Sequence, residues 1–594
     1  MNTPHPLLGY PEFILSEEFN EFWRTTWGQS RTDVFAKLSH RGKEYEYLKV
    51  LPPRHSNPGF NSMSMPQAVL ICSEYDALWK DLTSELNGID TGLPTVSRPD
   101  PSPWDQMNEH LGKPWHHGYF HNDDGSQVLF SELDDGENIL DDGENTMDDG
   151  SGDPVSRVFT IIGQPGIGKS MSLYVVLALR LIDSKPTFLQ TQKGEAHFFC
   201  SSGAYKVMLP ERGHPSWARN LTTEEVLLFD SNKEVKQPDD FWSSTPNPIV
   251  LACSPTPKDE RIGWTKDMSV TEWYMRPMSL REFLAASTLQ TFDSLKQQRQ
   301  QDLLERCYNA LGPNARRAYH YCKLPTGIER YENVIKQKIK KMTSHELRVV
   351  LSTSSEVDDR SISQYLMLIT AGPRRYYPRV GFVTSHVYGL VRDQYEREKS
   401  CRIIDLFSVF RNQPETRASA EYIFKDTMHR ILKRGICLEV RPMIDTGTGT
   451  KNHLYDTQVD HPTQWLRIGD VVQLLENRVT TESLCSHVFG KEEQLLQGTY
   501  CQPRDSNTAA FDAYFWNAPE KTIWMFQFAV SQEHDAKESG LQWIRERVPN
   551  NVKTKFVVFA PHKKVRLSIQ MTSPKVDAVY HAYTHDIEAL AQGH

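Results

Sequence analysis

The sequence predicts an α/β fold organised on a parallel sheet, and three observations predict it. Residues 163–170 read Gly163-Gln164-Pro165-Gly166-Ile167-Gly168-Lys169-Ser170, the pattern G-x-x-x-x-G-K-S. The pattern stands between an apolar run of strand character at 158–162 and a helix-like run at 171–182. Two further apolar runs, 226–230 and 248–253, are each followed by polar turn residues, as expected of buried parallel strands that deliver side chains to the carboxyl edge of a sheet.

The loop composition suits an anion. Gly166 and Gly168 let successive backbone N–H groups close around a phosphate without Cβ obstruction, and the helix starting near Lys169 adds the positive end of its dipole. The competing reading is a glycine turn on the surface, and the flanking strand and helix argue against it. Lys169 is the candidate for neutralising the β and γ phosphates and Ser170 for ligating Mg²⁺, so the expected cofactors are ATP and Mg²⁺. Gly163, Gly166, Gly168, Lys169 and Ser170 form the candidate nucleotide-binding set, and no Asn-Lys-x-Asp guanine motif accompanies them.

Each strand end adds a candidate. Asp230 closes the 226–230 run and either orients the metal, with a catalytic role, or simply ends a strand. Ser231 follows it where many P-loop ATPases carry a Glu that polarises the attacking water, which predicts slow hydrolysis or a base from elsewhere. Ser254, after 248–253, either senses the γ phosphate or terminates the strand. Arg316 and Arg317 follow the breaker Gly312-Pro313; one of them reaches the phosphates, with Arg316 the candidate, or both are surface cations.

With 594 residues the chain is expected to form several domains, and 38% apolar residues suffice for real cores. Nine cysteines without a C-x-x-C pair favour a reducing compartment over a disulfide framework or a structural zinc site. No basic segment followed by an apolar core opens the chain, and the apolar run near 173–182 is too short to span a bilayer and contains Arg180. The expected location is therefore intracellular, nuclear or cytoplasmic, with no membrane partner.

Charge is unevenly placed. Residues 123–153 hold twelve acids and no base, in the repeated form Leu-Asp-Asp-Gly-Glu-Asn, and removing them from the formal net charge of −9 leaves +3. Calcium loops of EF-hand type are excluded by the spacing and the missing terminal Glu, which leaves an acidic disordered linker. Residues 321–450 carry 22 basic and 15 acidic residues. Clusters at 336–341 and 374–379 mix cations with aromatics, as a nucleic-acid partner requires, although solvated helix faces produce the same runs; 336–341 is also a nuclear-import candidate.

The expected organisation is a mixed α/β region at 1–120 without assignable chemistry, the linker at 121–156, a nucleotide-binding core at 157–325, a helical lid or linker domain at 326–413 and a C-terminal α/β domain at 414–594. Apolar spacing predicts helices over 279–310, 327–351, 361–370, 383–411 and 416–435. In the C-terminal part, 511–516 and 522–530 read as a β-hairpin around Asp512 and Gln527, followed by a helix near 541–547 and a buried strand at 555–560.

The phosphate loop, Ser254-Pro255, the run Tyr274-Met275-Arg276-Pro277-Met278-Ser279-Leu280-Arg281-Glu282-Phe283-Leu284, Gly312-Pro313, and Phe526-Gln527-Phe528-Ala529-Val530-Ser531 with His534 and Gly540-Leu541 together resemble the Crinkler and retrotransposon-hot-spot group, in a fungal-type form. The resemblance covers roughly residues 155–594 and implies a P-loop NTPase core with a helical lid followed by a restriction-endonuclease-like α/β domain, in proteins that include effectors acting in nuclei. The leucine-phenylalanine-leucine-alanine-lysine header of the oomycete effectors is absent from the first 120 residues.

The resemblance implies a metal-dependent nuclease site with Asp512 as the first acid and metal ligand. Gln527 stands at the Glu position, and Ala529 at the Lys position. On the preceding helix Lys425 stands where relatives tend to have Glu, so that Glu421 or Asp426 would substitute, and His534 or Lys537 would supply a base or cation. The implied function is an ATP-binding NTPase coupled to a DNA-binding, nuclease-like domain. The alternative is a nucleotide-dependent switch whose C-terminal domain binds nucleic acid or protein without cleavage.

Overall fold

Buried on both faces, the runs Leu227-Leu228-Phe229 and Ile249-Val250 show none of the alternation of a half-exposed strand. They form the middle of an α/β molecule with parallel and antiparallel sheets in a computed structural model. The described residues are 5–50, 68–86, 119–121, 127–129 and, apart from short breaks of which 256–267 and 353–362 are the longest, 157–583. The described residues fall into two units, the first ending at Val391 and the second beginning at Arg392.

The first unit is built on an eight-stranded sheet. Its order is Phe13–Leu15, Gly203–Met208, Glu195–Cys200, Thr187–Gln192, Val226–Asp230, Ile249–Cys253, Arg157–Ile162 and Ser269–Tyr274. The last five run parallel and the first three are added antiparallel. Register pairs Asp230 with Ala252 and Cys253 with Ile162, so the Asp230 strand, the Ser254 strand and the loop beginning at Gly163 end along one edge. The helix Lys169–Ile182 runs from that loop, burying Leu173, Val176, Leu177 and Leu181.

The described N-terminal residues belong to the first unit. Phe13–Leu15 is one edge strand of the sheet, and the helix Ser73–Leu86 follows a small antiparallel sheet of Phe35–His40, Lys43–Leu48 and Val69–Ile71. Glu74 on that helix is buried and ion-paired to Arg375, whose second nitrogen donates to Oε1 at 2.8 Å. The Arg375 guanidinium also lies 4.8 Å from the Trp273 ring. Glu74 additionally accepts the Arg276 N–H at 3.0 Å. One buried carboxylate therefore ties the N-terminal helix to two distant segments.

Two sequence expectations change. The run 361–370 is not one helix: a short turn of helix, Ser363–Leu366, leads into the strand Met367–Ala371, which pairs antiparallel with Pro378–Phe382. Five consecutive buried residues at 367–371 fit either structure by periodicity, and the neighbouring backbone decides. The helical block at 326–413 thus contains a two-stranded sheet. Most of the expected acidic linker lies outside the described residues, apart from a hairpin of Tyr119–His121 and Gln127–Leu129. Arg374 and Lys537 also lie outside them.

The second unit carries a twelve-stranded sheet and the helix Arg417–Arg434. The hairpin read around Asp512 forms as Ala513–Asn517 and Thr522–Phe528. Parallel strands Lys553–Ala560 and Ala578–Tyr583 extend it, and the helix Glu538–Arg545 packs Leu541 and Ile544 into the core with Ile523, Met525, Phe556 and Val558. Strands between 436 and 503 exceed the elements anticipated for this region. Among the described residues no helix is long and apolar enough to cross a membrane.

The buried pair gives a direct test of how the N-terminal helix is held. Glu74→Ala leaves a buried guanidinium without its partner and is expected to lower stability by about 3–5 kcal/mol. Breaking the exposed Arg31–Glu46 pair by Arg31→Ala is expected to change it by less than ~1 kcal/mol. Urea midpoints of the two variants check the contrast.

Candidate functional site

The candidate phosphate loop is shaped by its glycines. Gly166 and Gly168 have φ of +85° and +115°, a region that disfavours side chains. A Cβ on Gly166 would lie 2.4 Å from Asn314 Oδ1, and one on Gly168 would lie 2.5 Å from the Tyr75 hydroxyl. The same neighbours hold the loop's carbonyls. Asn314 Nδ2 donates to Pro165 O at 2.8 Å, the Arg316 N–H donates to Gly166 O at 3.4 Å, and the Tyr75 hydroxyl donates to Gly168 O at 3.1 Å. In a trans peptide the next N–H points the opposite way, so the amides of Gly166, Ile167 and Lys169 face away from these partners, as an anion nest requires.

Lys169 and Gln164 complete the loop. The Lys169 ammonium donates to Gly163 O at 2.6 Å and to Gln164 O at 3.0 Å. Gln164, which the motif treats as a variable position, is buried and uses both ends of its amide: Nε2 donates to Met367 O at 2.6 Å and Oε1 accepts from the Ile369 N–H at 3.0 Å. It fixes the loop to the Met367–Ala371 strand. Neither Gln164 nor Tyr75 carries a sequence signal of this role, because both act on backbone partners far away in the chain. Asn314 carried a faint one, as a cap residue after Gly312-Pro313; it caps the helix Ala315–Tyr321.

Ser170 and Asp230 stand side by side. Ser170 Oγ donates to Asp230 Oδ1 at 2.9 Å. Burial pushes the Asp230 carboxyl from its ordinary 3.8 up to about 6, against the Ser170 hydrogen bond and the charges of Lys169 and Arg316. Arg316 is thus electrostatically coupled to the carboxylate. Arg317 is engaged differently, 3.9 Å from the Tyr365 ring centroid and hydrogen-bonded to the Tyr331 hydroxyl at 3.3 Å. Ser254 follows the strand between the loop and Asp230. Ser231 Oγ donates to Lys236 O at 2.8 Å, so this position serves a turn. The inward amides, Lys169, the Ser170 hydroxyl and the Asp230 carboxylate fit a magnesium nucleotide: donors for phosphate oxygens and hard oxygens for the ion.

In the second unit Asp512 precedes the hairpin, and the register Ala513↔Phe526 continued by one sets it across from Gln527, which is buried. Asp512 Oδ2 accepts from the Phe528 N–H at 2.7 Å. Oδ1 lies 3.0 Å from the Lys425 ammonium, which in turn stands 3.8 Å from Glu421. Burial disfavours the Lys425 charge, yet Asp512 and Glu421 outweigh it and hold its pKa above the ordinary value. His429, a turn further along the helix, bonds the Tyr500 hydroxyl at 2.8 Å and is pushed down to about 3, by burial first and by Lys433 and Lys425 beyond what Asp512 restores.

Of the proposed substitutes, Glu421 joins this cluster and Asp426 does not. Asp426 pairs with Arg392 at 3.2 Å and Arg430 at 3.4 Å. Ala529 is buried and offers no cation. His534 sits on the strand Glu533–Ala536, at the end of the sheet path beyond Ser568–Thr572. A divalent ion does not fit the residues present at Asp512, because one carboxylate oxygen holds a backbone amide and the other a buried ammonium. Among the described residues no three His, Cys, Asp or Glu side chains group as metal ligands.

Asp230 predicts a pH dependence. Its folded pKa is raised, so its contribution to stability is present below about pH 4 and lost as pH rises through about 6. Cation binding needs the ionised form. Magnesium-dependent nucleotide affinity is therefore expected to fall about tenfold per pH unit below about 6, beyond the slope seen in Asp230→Asn, by titration of a fluorescent nucleotide. No protein-family model matches the chain, and no curated protein matches it in sequence.

Proposed function

We propose that the chain binds a nucleoside triphosphate, ATP, with Mg²⁺ at residues 163–170, and acts as a slowly hydrolysing P-loop switch whose nucleotide state controls how the C-terminal unit contacts nucleic acid or protein. The observation that carries this reading is the Ser170–Asp230 hydrogen bond beside a loop whose carbonyls are held from outside. Phosphate oxygens would take the amides of Gly166, Ile167 and Lys169, and the Lys169 ammonium would exchange Gly163 O and Gln164 O for them. Asp230 would orient the metal, and Arg316 would approach the phosphates from the capped helix. Magnesium, when bound, supplies the charge that phosphoryl transfer needs. Ser231, held in a turn bond, offers no carboxylate at the position after Asp230, which favours long-lived bound nucleotide over rapid turnover.

The resemblance to the Crinkler and retrotransposon-hot-spot group, with its nuclear effectors and nuclease-like C-terminal domain, belongs to this proposal. Of its two forms, contact without cleavage is favoured by the Lys425–Asp512 ion pair.

Lys169→Ala is expected to weaken MgATP binding roughly 10–100-fold at unchanged melting temperature, since one or two charge-assisted bonds are lost. Unaltered binding in a folded variant would falsify the nucleotide reading. Nicking of supercoiled DNA with Mg²⁺ or Mn²⁺ separates the two forms: no nicking is expected from the wild type, and nicking that disappears in Asp512→Ala would establish the nuclease.

A further inference from the structure

Glu421, Lys425 and His429 recur every four residues and so share one face of the helix Arg417–Arg434. That face meets the hairpin where Asp512 and Gln527 stand. His429 lies edge-on to Phe528, with ring centroids 4.8 Å apart, and bonds Tyr500. Lys425 inserts between two carboxylates, 3.0 Å from Asp512 and 3.8 Å from Glu421, with only 10% of its side chain exposed. Both carboxylates therefore face the same ammonium, and the neutral His429 adds no charge beside it.

We infer that Lys425 is the resident cation of this cluster and that its ammonium excludes divalent metal from Asp512. The inference rests on reading the Asp512 cleft as a nuclease-like site. An ion coordinated by Asp512 Oδ1 at about 2.0–2.1 Å would have to stand where the ammonium now stands. Asp512 Oδ2 is committed to the Phe528 N–H. Displacing Lys425 would strand a buried charge, which is strongly unfavourable. A single side chain on the helix thus does two things: it neutralises the acid that the hairpin presents, and it closes the position that a catalytic ion needs.

The test is Mn²⁺ binding to the full-length, nucleotide-free protein, followed by electron paramagnetic resonance, in the wild type, Lys425→Met and the double variant Lys425→Met/Asp512→Asn, each checked for folding by thermal melting. Wild type and double variant are expected to bind Mn²⁺ equally. Lys425→Met, which keeps the side-chain length and removes the charge, is expected to gain a site at least about tenfold tighter than any shared background, and the double variant to lose it. Binding in the wild type that the double variant lacks overturns the inference, as does a folded Lys425→Met that gains nothing. Should Lys425→Met fail to fold, wild type against double variant still decides. MgATP binding in Lys169→Ala is measured apart from this, so failure of the nucleotide reading and failure of the resident-cation reading are distinguishable.

Discussion

A backbone that surrounds an anion must turn its N–H groups toward the ligand, and every amide so used leaves a carbonyl facing the other way that needs a donor of its own. The loop at 163–170 meets that need with parts drawn from the whole first unit. Tyr75 comes from the N-terminal helix, Asn314 and the Arg316 amide from a capped helix beyond the sheet, and Gln164 reaches a strand some two hundred residues on, the separation to Met367 being 203. The glycines at 166 and 168 are required twice over, for their backbone angles and for the closeness of Asn314 and Tyr75. Preorganisation of this kind reduces the ordering that a ligand must impose on binding.

The loop, its strand and its helix were legible because their chemistry is local: eight residues state the turn, the cradle and the charge. Asp230 was legible as the polar end of an apolar run, and the hairpin at Asp512 as two runs of aromatic and β-branched residues around a turn. What holds the loop was not. Tyr75 and Gln164 are ordinary residues locally, and their roles arise only when distant backbone reaches them. The strand at 367–371 was unreadable for the same reason, since five consecutive buried residues suit a helix or a strand and pairing with 378–382 settles which. Of the two adjacent arginines the sequence offered Arg316 as the candidate without a physical reason to prefer it; Tyr331 and Tyr365 take the guanidinium of Arg317.

The C-terminal cluster shows how differently a buried charge behaves when it has a partner. Lys425 retains its charge because two carboxylates outweigh burial, whereas His429, bonded to a tyrosine hydroxyl, is driven neutral. Buried ion pairs of this kind add little net stability over an apolar replacement, so what such a pair contributes is the fixing of one arrangement of helix and hairpin.

Glu74 and Tyr75 also bear on how the first unit comes into being. Glu74 stands 301 residues before the arginine that pairs with it, and Tyr75 stands 93 residues before the carbonyl it holds. During synthesis the helix Ser73–Leu86 is made long before either partner, and a helix of that length has little stability alone in water. Contacts so far apart in sequence are slow to form, because the intervening chain must be closed first. The loop at 163–170 is therefore braced late, when this early-made helix docks onto some of the last-made residues of its unit, and not when the loop itself leaves the ribosome.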